Sequence, residues 1–439
     1  MKKSVRMILA IAVAVCMMLS CITAYAAGPG NMGNQQPGQF GGDMGMPGQM
    51  GGNITYASSQ SEIITTTVTN TAQNLVADKA NAATYDVSET SQVKITEAGT
   101  YIVTGTCSDG NITVKKGTTG VVLILKDLDL TSTTGATVSL NKGSEVKLII
   151  EGTVKLTDAE NPADEDSTDA DVADAFDGAA LKAKSGSNVY LTGSGSLTID
   201  GSSCKNGIKV GDADDGIPSF VIDGGLTINI TAANDAINGG YDVTILSGTL
   251  NISSGDDGIH ADRILTIGSN GNGPTINVNK SYEGMEGTVV NLFGGKGTVN
   301  ASDDAINAAN SDLSGYDFEI NIDGGTWYIN ANGDGIDSNG DINVSGGDTT
   351  VFGAADNGNA AIDVGDNGGQ FNVTGGSISG IGMSGMAVVP TSGTYLQFSS
   401  AGMGGFGQQQ SSAGNIYVSS GIPKVIRYTR LPQSRMRTV

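Results

Sequence analysis

One phrase recurs along the middle of this chain at unequal intervals, and that recurrence limits the fold more than any other feature. It reads NDAIN at 234–238, DDGIH at 256–260, DDAIN at 303–307 and GDGID at 333–337. The apolar residues that follow such acid–glycine phrases are Leu181, Ile208, Ile237, Ile259, Met285, Ile306, Ile336 and Ile362, with gaps of 27, 29, 22, 26, 21, 30 and 26 residues. A second phrase, T-x-N-x, runs alongside. Asn229, Asn251 and Asn277 each stand 8 residues before their Ile or Met, and Asn300 and Asn330 stand 6 before theirs. Fixed phrasing with a varying period suits stacked units, because insertions enter loops while the stacked strands keep register. A β-sandwich gives no reason for a recurring D-G-I phrase.

Between the phrases the chain is a run of short β-branched segments, such as TYIVTGT, VVLILKDLDL, VKLIIEG and FVIDGGLTINIT, broken by Gly, Asn and Asp. Helical periodicity is almost absent. The predicted fold is therefore all-β, a parallel β-helix (solenoid) over 95–386. Each coil turns inward Ile, Val and Leu toward the next, and many of the 66 glycines mark corners. The span gives roughly 11 coils, about 50 Å of stacking at about 4.8 Å each. The acid-rich insert 157–178 is expected to protrude as a loop or short helix.

The flanks differ. Residues 1–26 have a basic start, an apolar middle and an A-x-A end, a secretory leader cut after Ala26. A lipoprotein anchored at Cys21 is the alternative. Residues 27–58 are a Gly/Met/Gln-rich tether, 59–94 a lead-in and cap, and 387–439 a low-complexity and basic tail. Export of the Gram-positive type, to the medium or the cell surface, is expected. No run after the leader is long enough to span a bilayer.

Removing Lys2, Lys3 and Arg6 with the leader leaves 20 cations against 45 acids, a net charge of −25. Such a chain repels nucleic acid and anionic lipid and attracts divalent cations. Only Cys107 and Cys204 remain in the mature chain, and the sequence leaves open whether they pair. The single histidine, His260, argues against a zinc site of the usual His/Cys kind.

In a stack, equivalent acids lie about 4.8 Å apart, where two carboxylates repel by about 0.9 kcal/mol in water and about 3.5 at an effective dielectric of 20. Ca2+ resolves this by accepting six to eight oxygens at about 2.3–2.6 Å. Asp235, Asp256 and Asp257 form the best cluster, with Asn238 or backbone completing the shell. Glu283 and Glu286, Asp303 and Asp304, then Asp334 and Asp337 continue the column. The competing reading of each pair is a turn, since Asp caps its own backbone.

The order TYIVTGTCSDGNITV, VVLILKDLDLTSTTGATVSL, VKLIIEGTVKLTD, GSGSLTIDG, then NDAIN, DDGIH and DDAIN resembles the secreted carbohydrate-binding parallel β-helix proteins of clostridia and related bacteria. The resemblance covers 95–386. It implies a right-handed, pectate-lyase-like helix, bound calcium, and binding to polysaccharides such as cellulose and polygalacturonate. It extends to the calcium-dependent pectate lyases, in which aspartates of two adjacent coils hold the catalytic calcium. Asp235, Asp256 and Asp257 match that pattern. A further lyase aspartate falls where this chain has His260, and the basic end KVIRYTRLPQSRMRTV departs from the family.

Three functions follow. A monomeric polysaccharide binder would stack sugar rings on Trp327, Tyr328 and Tyr282, with Tyr241 and Tyr316 as further candidates. A calcium-dependent lyase would need a strong base, and Lys296 is the best candidate among Arg263, Lys280 and Lys296, since no Lys or Arg occurs from 297 to 423. An adhesive envelope protein is the third. The sequence favours the binder.

Overall fold

The computed structural model describes residues 69–310, 318–354, 359–365, 368–382 and 388–393, and the backbone of strands Tyr395–Phe398 and Ala413–Val418. The expected leader, Cys21, the tether, Tyr316 and the basic end lie outside the described residues. The described chain is nearly all-β. Its helical pieces are three 3-10 turns and one short α-helix, Ala170–Ala175. That helix and the turn Pro162–Asp164 fall in the acid-rich insert, as the lack of β-branched residues there suggests.

The strands pair in parallel, in register, along three ladders. The isoleucine ladder begins at Gln92–Ile95 and passes through Asn111–Val114, Val138–Leu140, Ala179–Ala183, Asn206–Val210 and Ile237–Gly239. It continues through residues 259–261, 285–287, Ile306–Ala308, Ile336–Ser338 and Ile362–Val364. The ladder thus opens inside the segment assigned from sequence to the cap. A second ladder runs through Val189, Phe220, Val243, Leu265, Val290, Ile320, Ile342 and Phe371. A third runs through Leu197, Ile228, Leu250, Ile276, Gly297 and Trp327. The long strand Ile259–Lys280 serves all three in turn. Antiparallel pairing appears where Ser377–Gly382, inside the span expected to be wholly parallel, and Tyr395–Phe398 meet Ala413–Val418, the last two in the stretch expected to be a low-complexity tail.

Period-2 alternation drives this arrangement. Thr227–Ala232 buries Ile228, Ile230 and Ala232 and turns Asn229 outward. Each ladder residue caps its equivalent, so Ile237, Ile259, Met285, Ile306 and Ile336 are all fully buried. Burying each such side chain contributes about 1.5–3 kcal/mol. The residue just before each is Gly or Ala for a steric reason. A Cβ on Gly258 would lie 2.5 Å from the Gly284 carbonyl oxygen, and one on Gly284 would lie 2.2 Å from that of Ala305.

Amide side chains add a second register device. Asn251 Nδ2 donates to Asn229 Oδ1 and Asn277 Nδ2 to Asn251 Oδ1, each at 2.9 Å. The 8-residue offset persists beyond Asn277 with other residues, since Thr298 and Tyr328 occupy the next two positions of that file. Asn300 and Asn330 lie two residues further on and are not its equivalents. A second amide file, Asn291, Asn321, Asn343 and Asn372, is joined by bonds of 3.0, 3.1 and 3.1 Å. Cys107 and Cys204 are both free thiols.

Candidate functional site

The isoleucine ladder fixes two files of polar side chains. Two residues before each ladder residue stand Asn206, Asp235, Asp257, Glu283, Asp304 and Asp334. One residue after it stand Lys182, Lys209, Asn238, His260, Glu286, Asn307, Asp337 and Asp363. The backbone holds the first file in step: Ala236 N donates to Asp257 O at 2.9 Å, Gly258 N to Glu283 O at 2.9 Å, Gly284 N to Asp304 O at 3.0 Å and Ala305 N to Asp334 O at 3.0 Å. Acids 21 to 30 residues apart in sequence therefore become neighbours.

Asp235, Asp256 and Asp257 converge, with a carboxylate oxygen from each within 4.8 Å of the others. Asp235 and Asp257 are buried and Asp256 half-buried. Asp235 Oδ1 accepts from Asp257 N at 3.1 Å, and its Oδ2 from Asn238 Nδ2 at 2.5 Å. Each oxygen retains a lone pair. The donor set is all carboxyl oxygen, which suits a hard cation of the calcium type, and burial raises Asp257 well above the usual carboxylate range. These residues could hold Ca2+.

His260 stands one step along, on the second file. Its Nδ1 lies 3.1 Å from Asp257 Oδ2 and 2.9 Å from Glu286 Oε2, and its Nε2 lies 2.8 Å from Asp262 Oδ1. Burial opposes its charge, but Glu286 and then Asp257 raise its pKa well above the ordinary value, so it is an imidazolium at neutral pH. The two glutamates of YEGMEG consequently part company. Burial and then Glu286 and Asp257 push Glu283 up to about 9. Burial also lifts Glu286, but His260 outweighs it and holds the carboxyl below its usual range. Burial and neighbouring carboxylates raise Asp256. Further along, burial pushes Asp304 to about 6 and Asp334 to about 7. Asp334 N donates to Asp304 Oδ1 at 2.6 Å. Asp303 sits beside Tyr282, whose hydroxyl it pushes up to about 12 by hydrogen bonding. Asp337 lies on the second file between Asn307 and Asp363.

The aromatic expectations divide. Trp327 is a correction: it is fully buried in the third ladder, with Nε1 donating to Gly324 O at 3.4 Å, so no ring face is available to a sugar. Alternation from the inward Ile329 forces this placement. Tyr328 therefore faces outward, 41% exposed, and Tyr282 is 48% exposed. Only Tyr282 adjoins the acids: its N donates to Asp256 O at 2.8 Å, and its O accepts from Asp303 N at 2.9 Å. Tyr241 lies 4.3 Å below the Arg263 guanidinium.

The basic candidates also separate. Arg263 is buried on Asp242, with Nε to Oδ1 at 2.6 Å and Nη2 to Oδ2 at 2.5 Å. Lys296 is exposed and belongs to the third ladder, between Thr275 and Thr326, not to the acidic files. Lys209 was missed from sequence. It lies on the second file next to Asn238, and burial and then Lys182 and Lys205 lower its pKa. Its signal was available, because it follows Ile208 as His260 follows Ile259. The second file thus changes along its length from cationic at Lys182 and Lys209 to anionic at Glu286, Asp337 and Asp363.

No helix among the described residues is long and apolar enough to cross a membrane. Residues 89–269 match the model of a family described as carbohydrate-binding domain-containing protein. No curated protein and no solved structure matches the chain. The matched span contains Asp235, Asp256, Asp257 and His260.

Proposed function

We propose that this chain is a secreted, calcium-dependent polysaccharide-binding protein whose parallel ladders wind as a right-handed, pectate-lyase-like β-helix. The convergence of Asp235, Asp256 and Asp257 carries the reading. A divalent cation there neutralises adjoining carboxylates and leaves coordination positions for a uronate carboxylate or sugar hydroxyls. Polygalacturonate is the favoured ligand. Without a cation bridge a polyanion and this acidic chain repel. Tyr282, beside the acids and half exposed, supplies a stacking face. Lys209 supplies charge for a second carboxylate further along the file. Lyase chemistry is less well supported, because Arg263 is committed to Asp242 and Lys296 stands on another ladder.

Retention of the purified protein on insoluble polygalacturonate and on cellulose, with calcium or with EGTA, tests the proposal. The expected result is strong retention on polygalacturonate in calcium, much weaker retention in EGTA, and the same loss in Asp257→Asn with calcium present. Equal retention with and without chelator would remove the calcium role. Retention on neither glycan would remove the binding role.

A further inference from the structure

Away from the acidic files, the root of the acid-rich insert holds a second cluster. Asp158 ends strand Glu145–Asp158 at the start of the insert, Glu160 follows two residues on, and Cys204 lies in the turn after strand Ser196–Gly201. All three are buried, at 0%, 4% and 5% exposure, and one donor atom from each lies within 4.8 Å of the others. Asp158 Oδ1 accepts from Glu160 N at 2.9 Å. Asp158 Oδ2 is buried and accepts no hydrogen bond. The nearby Cys204 thiol lies against both carboxyls, interacting with Asp158 and contacting Glu160 Oε2 at 4.0 Å.

A buried carboxylate oxygen without a partner is costly unless a proton or cation meets it. The neighbouring lysines are engaged elsewhere. Lys182 and Lys184 each reach Asp177 Oδ1 at 3.1 Å, and Lys205 reaches Glu165 Oε1 at 2.6 Å. Burial raises both Asp158 and Glu160, and burial and then Asp158 drive the Cys204 thiol far above its ordinary range. Two carboxyls and a thiol share one desolvated space, and the cation that acts on Asp158, Lys182, is a lesser influence than burial and is itself paired with Asp177.

We propose that Asp158, Glu160 and Cys204 form a buried structural site for a thiophilic divalent cation of the zinc class. The sulfur distinguishes it from the all-oxygen calcium cluster, since thiolate favours zinc-like ions over calcium. Tetrahedral ligands of zinc stand about 3.5 Å apart, so the three donors need to close by about 1 Å. Binding displaces the thiol proton to solvent and leaves the ion with one thiolate and two carboxylates. The site has a structural consequence. Glu160 Oε2 accepts from the backbone N of Asp177 at 3.2 Å and of Gly178 at 3.3 Å, so it ties the start of the insert to its end. A metal on Glu160 locks that root to the Cys204 turn. This inference is independent of the calcium reading.

Co2+ titration of the chelator-treated protein is the test. Wild type should develop a near-ultraviolet thiolate-to-cobalt charge-transfer band, reaching a plateau at a single equivalent and displaced by Zn2+. Cys107→Ser and Asp256→Asn should keep the band. Cys204→Ser should abolish it, and Asp158→Asn should weaken Co2+ binding by more than the roughly 10–100-fold that outer-shell partners cost. Where Cys204→Ser fails to fold, alkylation of wild type read by mass spectrometry replaces it: Zn2+ should slow labelling at Cys204 and not at Cys107. No band in folded wild type, a band that follows Cys107, or no zinc protection of Cys204 would overturn the proposal.

Discussion

Glu283→Gln separates the electrostatic account of the acidic files from a merely structural one, because it should stabilise the metal-free protein. Glu283 ordinarily titrates near 4.5, and in the fold burial, Glu286 and Asp257 push it up to about 9. The native state therefore holds this proton between pH 4.5 and 9, whereas the unfolded chain releases it. The group's contribution to stability is complete below pH 4.5 and is lost as pH rises toward 9, at about 1.4 kcal/mol per pH unit. Between pH 5 and pH 7 that amounts to roughly 3 kcal/mol, and solvent screening of a half-buried group reduces it to on the order of 2. Glutamine keeps the carbonyl that accepts from Asn307 Nδ2, a contact now 3.0 Å long, and cannot ionise. Urea unfolding in EGTA should thus show the variant gaining on wild type by about 2 kcal/mol from pH 5 to pH 7. In calcium the gap should shrink, because a cation rather than a proton then offsets the charge. Parallel loss of stability by both proteins in EGTA would refute the assignment of a proton to Glu283.

Two further pairs of substitutions separate packing from binding and probe the amide file. Trp327→Ala should lower stability by about 3–5 kcal/mol while leaving polygalacturonate retention intact below the melting range, and Tyr282→Ala should do the reverse, as paired melting and retention measurements would show. Asn251→Ala removes one bond to Asn229 and one from Asn277, so it should cost about 2 kcal/mol by urea unfolding, against about half that for the end member Asn229→Ala.

What the sequence made legible follows from what repeats. The isoleucines recur because each stacked strand must bury the same position, so the parallel rungs from Leu181 to Ile362 could be read from spacing, whereas the three before Leu181 carry no such phrase. The acids at Asp235, Asp256 and Asp257 share that spacing, and the fold brings them together. The face of a residue was legible too, and Trp327 shows the cost of not using it: alternation from Ile329 already directs Trp327 inward and Tyr328 outward. Asn300 and Asn330 misled for the opposite reason, since an asparagine two residues out of register imitates the phrase without occupying the position.

Charge state was not legible, because it depends on single neighbours and not on the repeat. Glu283 and Glu286 stand three residues apart in the same phrase, one on each file. Glu286 meets the His260 imidazolium at 2.9 Å and stays ionised, whereas Glu283 faces other carboxylates and an amide and takes a proton. His260 is thus the file's own cation, serving Asp257 and Glu286 from inside the ladder. The charge left for an external ion lies where His260 does not reach, at Asp235 and Asp256 with the far oxygen of Asp257. A calcium site built on that remainder should bind more tightly in His260→Gln, since the change removes a positive charge from beside the ion and frees Asp257 Oδ2 for it. Calcium affinity measured for that variant by calorimetry should change at least as much as for Asp256→Asn, and an unchanged affinity would mean that histidine and metal act on separate acids.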